Sequence, residues 1–256
     1  MTIIKIGGRT AENDRVMTAL ADDLAGRLHD GEKILLVHGG GSAINRLQET
    51  HGFIPRFQQG RRRTSPEEMA LVDMALAGAV NKRLVRIFCS RKIASWGLCG
   101  ADGGIMTGKR LFDEDVTDMT GVVTEVSMHP LELLWKGNFL PIMAPPSMDA
   151  SGAALNINAD EAALALAKTA QASRLIFLSD VPGVLNNGKI MPSVTMADSE
   201  KLIAEGVVST GMIPKLRSAV DALKAGVHAV HIAAYGEQGE WQRILDGRQG
   251  TRIIGE

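Results

Sequence analysis

TIIKIGG at residues 2–8 and ILLVHGGG at residues 34–41 decide the fold of this 256-residue chain. Each is an apolar run of strand length that ends in consecutive glycines and precedes a segment with helical spacing. Glycines at such a turn let the backbone approach a ligand, and the helix N-terminus that follows adds partial positive charge. Two such turns at one end of a sheet favour a site for anionic groups such as phosphates.

The glycine turns leave a simpler interpretation open. A glycine pair alone more often serves only the geometry of a strand-to-helix turn, but three glycines after a strand are harder to explain in that way. Neither turn fits GxxxxGK[ST] or GxGxxG, so P-loop and Rossmann sites are not supported. His38, just before the second turn, is interpreted as a packed or hydrogen-bonded residue rather than a base.

Short apolar runs alternate with longer amphipathic segments along the whole chain. This alternation predicts the α/β class, with a mostly parallel sheet covered by helices on both faces. Strands are predicted at 2–6, 33–37, 93–98, 139–143, 174–178 and 227–232, and inserted hairpins within 106–124. Residues 67–88 predict a helix with more than one apolar side, which suits either the core or a dimer interface.

Composition and charge limit which partners and which cellular compartment are expected. The chain has 28 basic and 29 acidic residues and a net charge of −1, so no overall field favours nucleic acid or an anionic membrane as partner. Cys89 and Cys99 lie in no zinc-binding or disulfide pattern. The sequence shows neither an export signal nor an apolar run of membrane-spanning length, so a cytoplasmic protein with a small-molecule partner is expected.

Three charged residues are candidates for phosphoryl transfer, a reaction that depends mainly on fixed positive charge and positioning. Lys5 lies near the end of a buried strand, where an ammonium group needs a partner or a function. Lys215 opens a helix, where the dipole disfavours a cation unless an anion is bound nearby, although a surface lysine is an equally good interpretation. Asp160 is placed to hold active-site lysines or to reach magnesium indirectly.

Polar residues at two further places have both structural and functional interpretations. Asn158 or Asp160 is predicted to cap an alanine-rich helix, which explains one of the three polar residues Asn156, Asn158 and Asp160 and leaves the other two unexplained. The triplet 61–63 consists of arginines after Gly60. Such a triplet usually forms a solvated face, but in this loop one guanidinium group is placed to bind a carboxylate with two hydrogen bonds.

Six motifs in order resemble the amino-acid kinase family, over nearly the full length of the chain: KIGG at 5–8, HGGG at 38–41, GRRRT at 60–64, NINAD at 156–160, LSDVPGV at 178–184 and GMIPK at 211–215. The resemblance implies a carbamate kinase-like fold, a three-layer α-β-α sandwich in one domain. Residues 1–170 would form the acyl-substrate lobe and 171–256 the nucleotide lobe. It also implies a homodimer, ATP as phosphoryl donor, and Mg²⁺ held mainly by the ATP phosphates.

The resemblance also implies roles for individual residues. Lys5 and Lys215 would stabilise the transferring phosphoryl group, and Asp160 would organise both lysines. The acyl substrate would contact Gly40, Gly41, Arg62 and Asn156. The nucleotide and its phosphates would contact Gly7, Gly8, Asp180, Val181, Pro182, Gly183, Val184, Leu185, Val207, Val208 and Ser209.

The substrate implied is N-acetyl-L-glutamate, phosphorylated on its side-chain carboxylate in arginine biosynthesis. Family members often have Leu-Arg-Val-Thr where this chain has 61–64, so which of Arg61, Arg62 and Arg63 faces the substrate is left open. The stretches 41–45 and 55–57, the prolines at 145–146 and the extra arginines resemble sister kinases that act on glutamate or 2-aminoadipate linked to an acidic carrier protein. A non-catalytic amino-acid-binding regulator on the same fold is a third alternative.

Overall fold

A computed structural model describes residues 1–112, 114–208 and 212–255. The predicted nucleotide contact at Ser209 and the first residue of the GMIPK motif lie outside the described residues. The described strands are β1 (Thr2–Ile6), β2 (Ile34–His38), β3 (Arg56–Gln58), β4 (Arg61–Arg63), β5 (Ser95–Cys99), β6 (Met106–Arg110), β7 (Thr120–Val126), β8 (Leu140–Ala144), β9 (Ser147–Asp149), β10 (Ala154–Ile157), β11 (Arg174–Ser179), β12 (Leu185–Asn186), β13 (Lys189–Ile190), β14 (Ser193–Thr195), β15 (Val230–Ala234) and β16 (Thr251–Ile254).

Helices connect most of these strands. They are α1 (Gly8–Ala11), α2 (Asp14–His29), α3 (Gly41–Thr50), α4 (Pro66–Asp73), α5 (Asn81–Ser90), α6 (His129–Lys136), α7 (Ala159–Thr169), α8 (Met196–Ala204), α9 (Ile213–Lys224) and α10 (Glu240–Leu245). A π-helical segment, Met74–Val80, joins α4 to α5, and a short 3₁₀ turn covers Asp102–Gly104.

In the described chain, eight strands form the central sheet in the order β14-β16-β15-β11-β1-β2-β8-β5. All neighbours are parallel except β15 and β16. Strands from 174–254 occupy one half of the sheet and strands from 2–144 the other. Because β1 and β2 are adjacent and parallel, they deliver both glycine turns to the same edge.

Residues alternate between two apolar cores along the central strands. In β1, Ile3 packs into one core with α7 and α9, whereas Ile4 and Ile6 pack into the other with α2 and α5. Each core is closed by helices, because side chains of successive strand residues point to opposite faces of the sheet. The predicted three-layer α-β-α sandwich with a mostly parallel sheet is confirmed.

The hairpin region has more order than the sequence predicted. Strands β6 and β7 form the expected antiparallel pair, and with β9 and β10 they close into a small barrel beside the main sheet. A β3–β4 hairpin stands separately and carries the arginine triplet. The barrel delivers β10, and with it the NINAD segment, to the same sheet edge as the glycine turns.

The six predicted strands all exist, with ends shifted by a few residues. Strands β14 and β16, the last two at one end of the central sheet, were missed, because each is only three or four residues long and lacks a continuous apolar run. The predicted helix at 67–88 exists as α4, the π-helical segment and α5. One side of it is buried in the core, and whether its exposed side meets a second copy stays a prediction.

Two histidines are buried in uncharged form. His38 is fully buried; its Nδ1 lies 3.0 Å from the Gly39 carbonyl oxygen and its Nε2 lies 3.1 Å from the Asn81 amide nitrogen. Since a carbonyl only accepts, Nδ1 carries the proton and Nε2 accepts from Asn81, as expected of a packed turn residue. Burial lowers the pKa of His38 to about 4, and burial together with the nearby arginines lowers the pKa of His231 to about 4.

These histidines predict loss of stability in mild acid. Their folded pKa values lie below the ordinary 6.5, so the unfolded chain binds more protons, and stability present above pH 6.5 is lost as the pH falls toward 4. Between pH 7.5 and pH 5 each histidine should cost about 2 kcal/mol of unfolding free energy. Urea unfolding at both pH values should show a smaller loss for His231→Gln than for the wild type, and equal losses would contradict the assignment.

Candidate active site

A carboxylate with low exposure lies between two lysines at the edge of the central sheet. Asp160 Oδ1 lies 2.6 Å from Lys5 Nζ, and Asp160 Oδ2 lies 3.9 Å from Lys215 Nζ. All three side chains are at most one-fifth exposed. Burial alone would raise the pKa of the Asp160 carboxyl, but the charges of Lys5 and Lys215 lower this pKa below its usual value. The group is an ionised cluster with one excess positive charge.

Strand and helix geometry bring these residues together. Lys5 lies on the face of β1 that also carries Ile3, and α7 packs on that face. Asp160 lies in the first turn of α7, where the Asn158 side chain caps the helix by accepting from the Asp160 N–H at 2.8 Å. Lys215 lies in the first turn of α9, which packs against α7. The predicted cap is therefore Asn158, and the Asp160 carboxylate is left for the lysines.

The two glycine turns touch each other beside this cluster. A Cβ atom on Gly8 would lie 3.2 Å from the backbone nitrogens of Gly40 and Gly41. A Cβ atom on Gly40 would lie 2.7 Å from Leu76 Cδ2, in the π-helical segment below it. Within the described residues, none of these three glycine N–H groups donates to another backbone carbonyl. The turns form one compact surface with amides available to an anion.

A cavity of about 230 Å³ opens beside the cluster. Of the predicted catalytic and substrate residues, all but Lys215 line it directly, and Lys215 reaches it through Asp160. The full lining is Lys5, Gly8, Gly39, Gly40, Gly41, Ile44, Phe57, Gly60, Arg61, Arg62, Leu76, Thr120, Pro145, Asn156, Ile157, Asn158, Ala159 and Asp160. A small pocket with cations and free amides at its wall is suited to an anionic small molecule.

Arg62 lies at the cavity with only neutral acceptors bound. Its Nη2 donates to Asn45 Oδ1 at 2.5 Å and to the Gly41 carbonyl at 3.3 Å, and its Nη1 donates to Gln48 Oε1. The Phe57 ring lies 4.7 Å from the guanidinium carbon. Burial lowers the pKa of Arg62, with the charge of Glu68 acting the other way, and the guanidinium stays charged at neutral pH.

The neighbouring arginines have carboxylate partners inside the chain. Arg61 binds Glu161 in a two-pronged contact, with distances of 2.6 and 3.2 Å. Arg63 binds Asp115 at 2.6 Å and pairs with Asp118. These ion pairs fasten the β3–β4 hairpin at both of its flanks. Arg62 alone of the triplet holds a cationic side chain at the cavity without a bound carboxylate among the described residues.

Asn156 lines the cavity from β10. Its side-chain nitrogen donates to Thr64 Oγ1 at 2.9 Å, which fixes the amide beside the arginine triplet. This contact joins the barrel to the residue that directly follows β4, although the two residues are 92 positions apart in the sequence.

A second cavity of about 520 Å³ lies between the loop after β11 and the segment after α8. It includes five of the predicted nucleotide residues: Val181, Gly183, Leu185, Val207 and Val208. Because β11 is the parallel neighbour of β1, the loop after β11 starts at the same sheet edge as the first glycine turn.

Other predicted nucleotide residues have different surroundings. The Gly7 N–H donates to the Leu178 carbonyl at 2.8 Å and extends the sheet, so this amide is already used. Asp180 forms an exposed ion pair with Arg9 at 2.8 Å, and Pro182 is exposed. Val184 is fully buried, and its N–H donates a hydrogen bond to Thr251 Oγ1. These four residues do not line either of the two cavities.

Several residues of the site were missed from the sequence. Gln48 and Asn45 bind Arg62, and Ile44, Phe57, Leu76, Thr120 and Pro145 line the cavity. A signal existed for Gln48, which lies four residues after Ile44 on the buried face of α3. A glutamine at a core position of an amphipathic helix needs a partner.

In residues 1–112, 114–208 and 212–255, no three His, Cys, Asp or Glu side chains are grouped to hold a metal ion. The helices of these same ranges lack the length and apolar character that a membrane span requires.

Residues 1–234 match the model of the Amino acid kinase family, and the chain belongs to this family. It is 38% identical to the acetylglutamate kinase of Rhizobium etli (strain CIAT 652) over 242 aligned residues. The aligned region covers 90% of this chain and 82% of that protein. Its fold is similar to the crystal structure of smu.665 from Streptococcus mutans UA159, with a TM-score of 0.84 and 29% identity over 99% of this chain and 98% of that chain. Giardia carbamate kinase shares the fold, with a TM-score of 0.68 and 19% identity over 100% of this chain and 99% of that one. The carbamate kinase-like fold predicted from the sequence is confirmed.

The central ion pairs predict a stability difference between two aspartates. Asp160→Asn should lower the unfolding free energy by about 2 kcal/mol or more, because two poorly exposed ammonium groups then lack their counter-charge. Asp180→Asn is the matched control, since its exposed pair with Arg9 should be worth less than about 0.5 kcal/mol. Urea unfolding of the two variants measures both values, and equal losses would argue against an electrostatic role for Asp160.

Proposed function

We propose that the chain transfers the γ-phosphoryl group of ATP to the side-chain carboxylate of N-acetyl-L-glutamate, forming an acyl phosphate in arginine biosynthesis. One observation carries the proposal: the Lys5–Asp160–Lys215 cluster and the Arg62 guanidinium line or adjoin one small cavity. Two cationic groups for a moving phosphoryl and one for a fixed carboxylate match this reaction. The named activity of the Rhizobium etli relative supports the same conclusion.

Charge neutralisation is the main chemical task of the site. Phosphoryl transfer spreads negative charge over the equatorial oxygens, and fixed cations stabilise that charge without reorganising. Lys5 and Lys215 supply these cations, and Asp160 holds both ammonium groups in place. The Gly8 and Gly40 amides donate to the same group. The attacking carboxylate is ionised at neutral pH, so the reaction needs no general base, and the neutral, buried His38 is not required as one.

Arg62 is the residue for the α-carboxylate of the acyl substrate. Its guanidinium group is charged and has only neutral acceptors, so an incoming carboxylate gains a charge-assisted, two-pronged contact. Gly40, Gly41 and Asn156 lie in the same cavity wall and complete the acyl-substrate site.

ATP is the expected second substrate, with its nucleoside in the cavity between the loops at 180–185 and 207–208. The residues at the phosphate end are ammonium groups and amides, which suit phosphate oxygens, and the Asp160 carboxylate is committed to two lysines. This donor set fits Mg²⁺ that is held mainly by the ATP phosphates. The ion would supply further neutralisation of phosphate charge.

A kinase for carrier-linked glutamate or 2-aminoadipate is the less supported alternative. In that alternative, the arginines flanking Arg62 would contact an acidic carrier protein. Arg61 and Arg63 are instead paired with Glu161, Asp115 and Asp118 of the same chain. These ion pairs leave less positive charge on the hairpin for a partner.

The reaction itself is tested by trapping the acyl phosphate with hydroxylamine, using free N-acetylglutamate and ATP with Mg²⁺. The wild type should form the hydroxamate, and Lys215→Ala should lower kcat by about 100-fold with less change in KM, because its interaction strengthens in the transition state. Carrier-linked glutamate and 2-aminoadipate are the comparison substrates. Negligible wild-type activity with the free substrate would refute the proposal, and near-normal turnover by the variant would refute the role of Lys215.

The arginine triplet predicts a graded response to substitution. Arg62→Ala should raise KM for N-acetylglutamate about 10- to 100-fold, which corresponds to the loss of a charge-assisted contact of about 1.5–3 kcal/mol. Arg61→Gln and Arg63→Gln should change KM by less than about threefold, since their guanidinium groups serve ion pairs within the chain. Under the carrier alternative, activity would instead fall with added salt and with charge reversal at Arg61 or Arg63.

A further inference from the structure

A buried hydrogen-bonded chain leads from Glu68 through Gln48 to Arg62. Gln48 Nε2 donates to Glu68 Oε1 at 2.8 Å, and Gln48 Oε1 accepts from Arg62 Nη1. Gln48 is fully buried and Glu68 is 1% exposed. The chain joins α3, α4 and β4, three elements that meet only in the tertiary structure.

The chemistry of the two ends fixes the orientation of the amide in the middle. An ionised carboxylate only accepts hydrogen bonds and a guanidinium only donates them. Gln48 must therefore turn its nitrogen to Glu68 and its oxygen to Arg62, and the opposite amide orientation would lose both bonds. Glu68 is itself held by the Ser65 N–H at 2.8 Å, in the capping box of α4, with Arg56 at 3.6 Å.

The neutral Gln48 amide separates the Glu68 carboxylate from the Arg62 guanidinium group, which faces the cavity. A carboxylate bound directly to Arg62 would satisfy the guanidinium and compete with an incoming substrate carboxylate. Through Gln48, Glu68 offsets the free-energy cost of burying the Arg62 charge. The guanidinium group keeps its capacity to form charge-assisted hydrogen bonds with another carboxylate. Arg61 and Arg63, which bind carboxylates directly, show the other arrangement in the same hairpin.

We infer that Gln48, oriented by Glu68, is a positioning residue that holds the Arg62 guanidinium ready for the carboxylate of the acyl substrate. The inference rests on the proposed function and adds a residue that acts through Arg62. Preorganisation of this kind lowers the ordering cost of binding, so it acts on substrate affinity. A purely structural tie between α3 and α4 would act on stability alone.

A double-mutant cycle on kcat/KM tests the inference. Gln48→Met keeps the length of the side chain and removes both hydrogen bonds. It should raise KM for N-acetylglutamate about tenfold, with kcat and KM for ATP within about twofold. In an Arg62→Ala background the same substitution should change kcat/KM by less than about twofold, because the residue it acts through is gone. Equal effects in both backgrounds would overturn the inference.

Two further variants make the experiment specific. Gln58→Met is the matched control, since Gln58 accepts a hydrogen bond from Arg63 at 2.5 Å in the same hairpin, and it should leave KM unchanged. Gln48→Asn covers the case in which Gln48→Met fails to fold: its neutral amide is one methylene shorter and does not reach both Glu68 and Arg62, so it should also raise KM, and an unchanged KM would overturn the inference.

The outcomes separate the two proposals. A wild type that does not phosphorylate N-acetylglutamate would refute the proposed function and this inference with it. An active wild type whose KM is insensitive to Gln48 would overturn this inference alone. Unfolding free energies of all variants, measured in parallel, identify any change in kcat/KM that follows from loss of folded protein.

Discussion

The Asp160 carboxylate, ionised between Lys5 and Lys215, is the interaction on which the arrangement of the site depends. It connects the central strand β1 with the first turns of α7 and α9, and so ties both halves of the sheet to one point. Burying an ammonium group without a counter-charge costs free energy. The low exposure of both lysines therefore depends on the Asp160 carboxylate. The same three charges leave an excess positive charge, which is what a transferred phosphoryl group requires.

Close backbone packing is the second constraint. Gly8 and Gly40 lie where a side chain would meet backbone nitrogen or Leu76, so the two turns bring their amides to within reach of one ligand. The π-helical segment supports this packing from below, since Leu76 and Val80 pack beneath Gly40. Irregular helical turns of this kind are frequent at functional sites because they place side chains that a regular helix would turn away.

Charge pairing divides three consecutive arginines into different roles. Arg61 and Arg63 fasten the β3–β4 hairpin to α7 and to the segment before β7, and their carboxylate partners satisfy them. The charge of Arg62 is balanced at a distance by Glu68 through the Gln48 amide, and its guanidinium group keeps the capacity to bind a further carboxylate. The three arginines are uniform in sequence, and their partners in the fold distinguish the two that hold the hairpin from the one with only neutral acceptors among the described residues.

The sequence by itself determined the features that depend on local pattern: the apolar strands, the glycine turns that follow them, the helix starts and the α/β class. These follow from periodicity and from the backbone freedom of glycine, both of which act over a few residues. The sequence also suggested that Asp160 holds active-site lysines, but only the tertiary structure decided the geometry of that contact with residues 155 positions before it and 55 after it. It also decided the closure of the barrel, the carboxylate partners of Arg61 and Arg63, and the partners of Gln48. Those contacts join residues that are distant in the sequence, and such partners leave no periodic pattern along it. Side-chain chemistry alone allows many pairings of charged and hydrogen-bonding groups, and packing selects one of them.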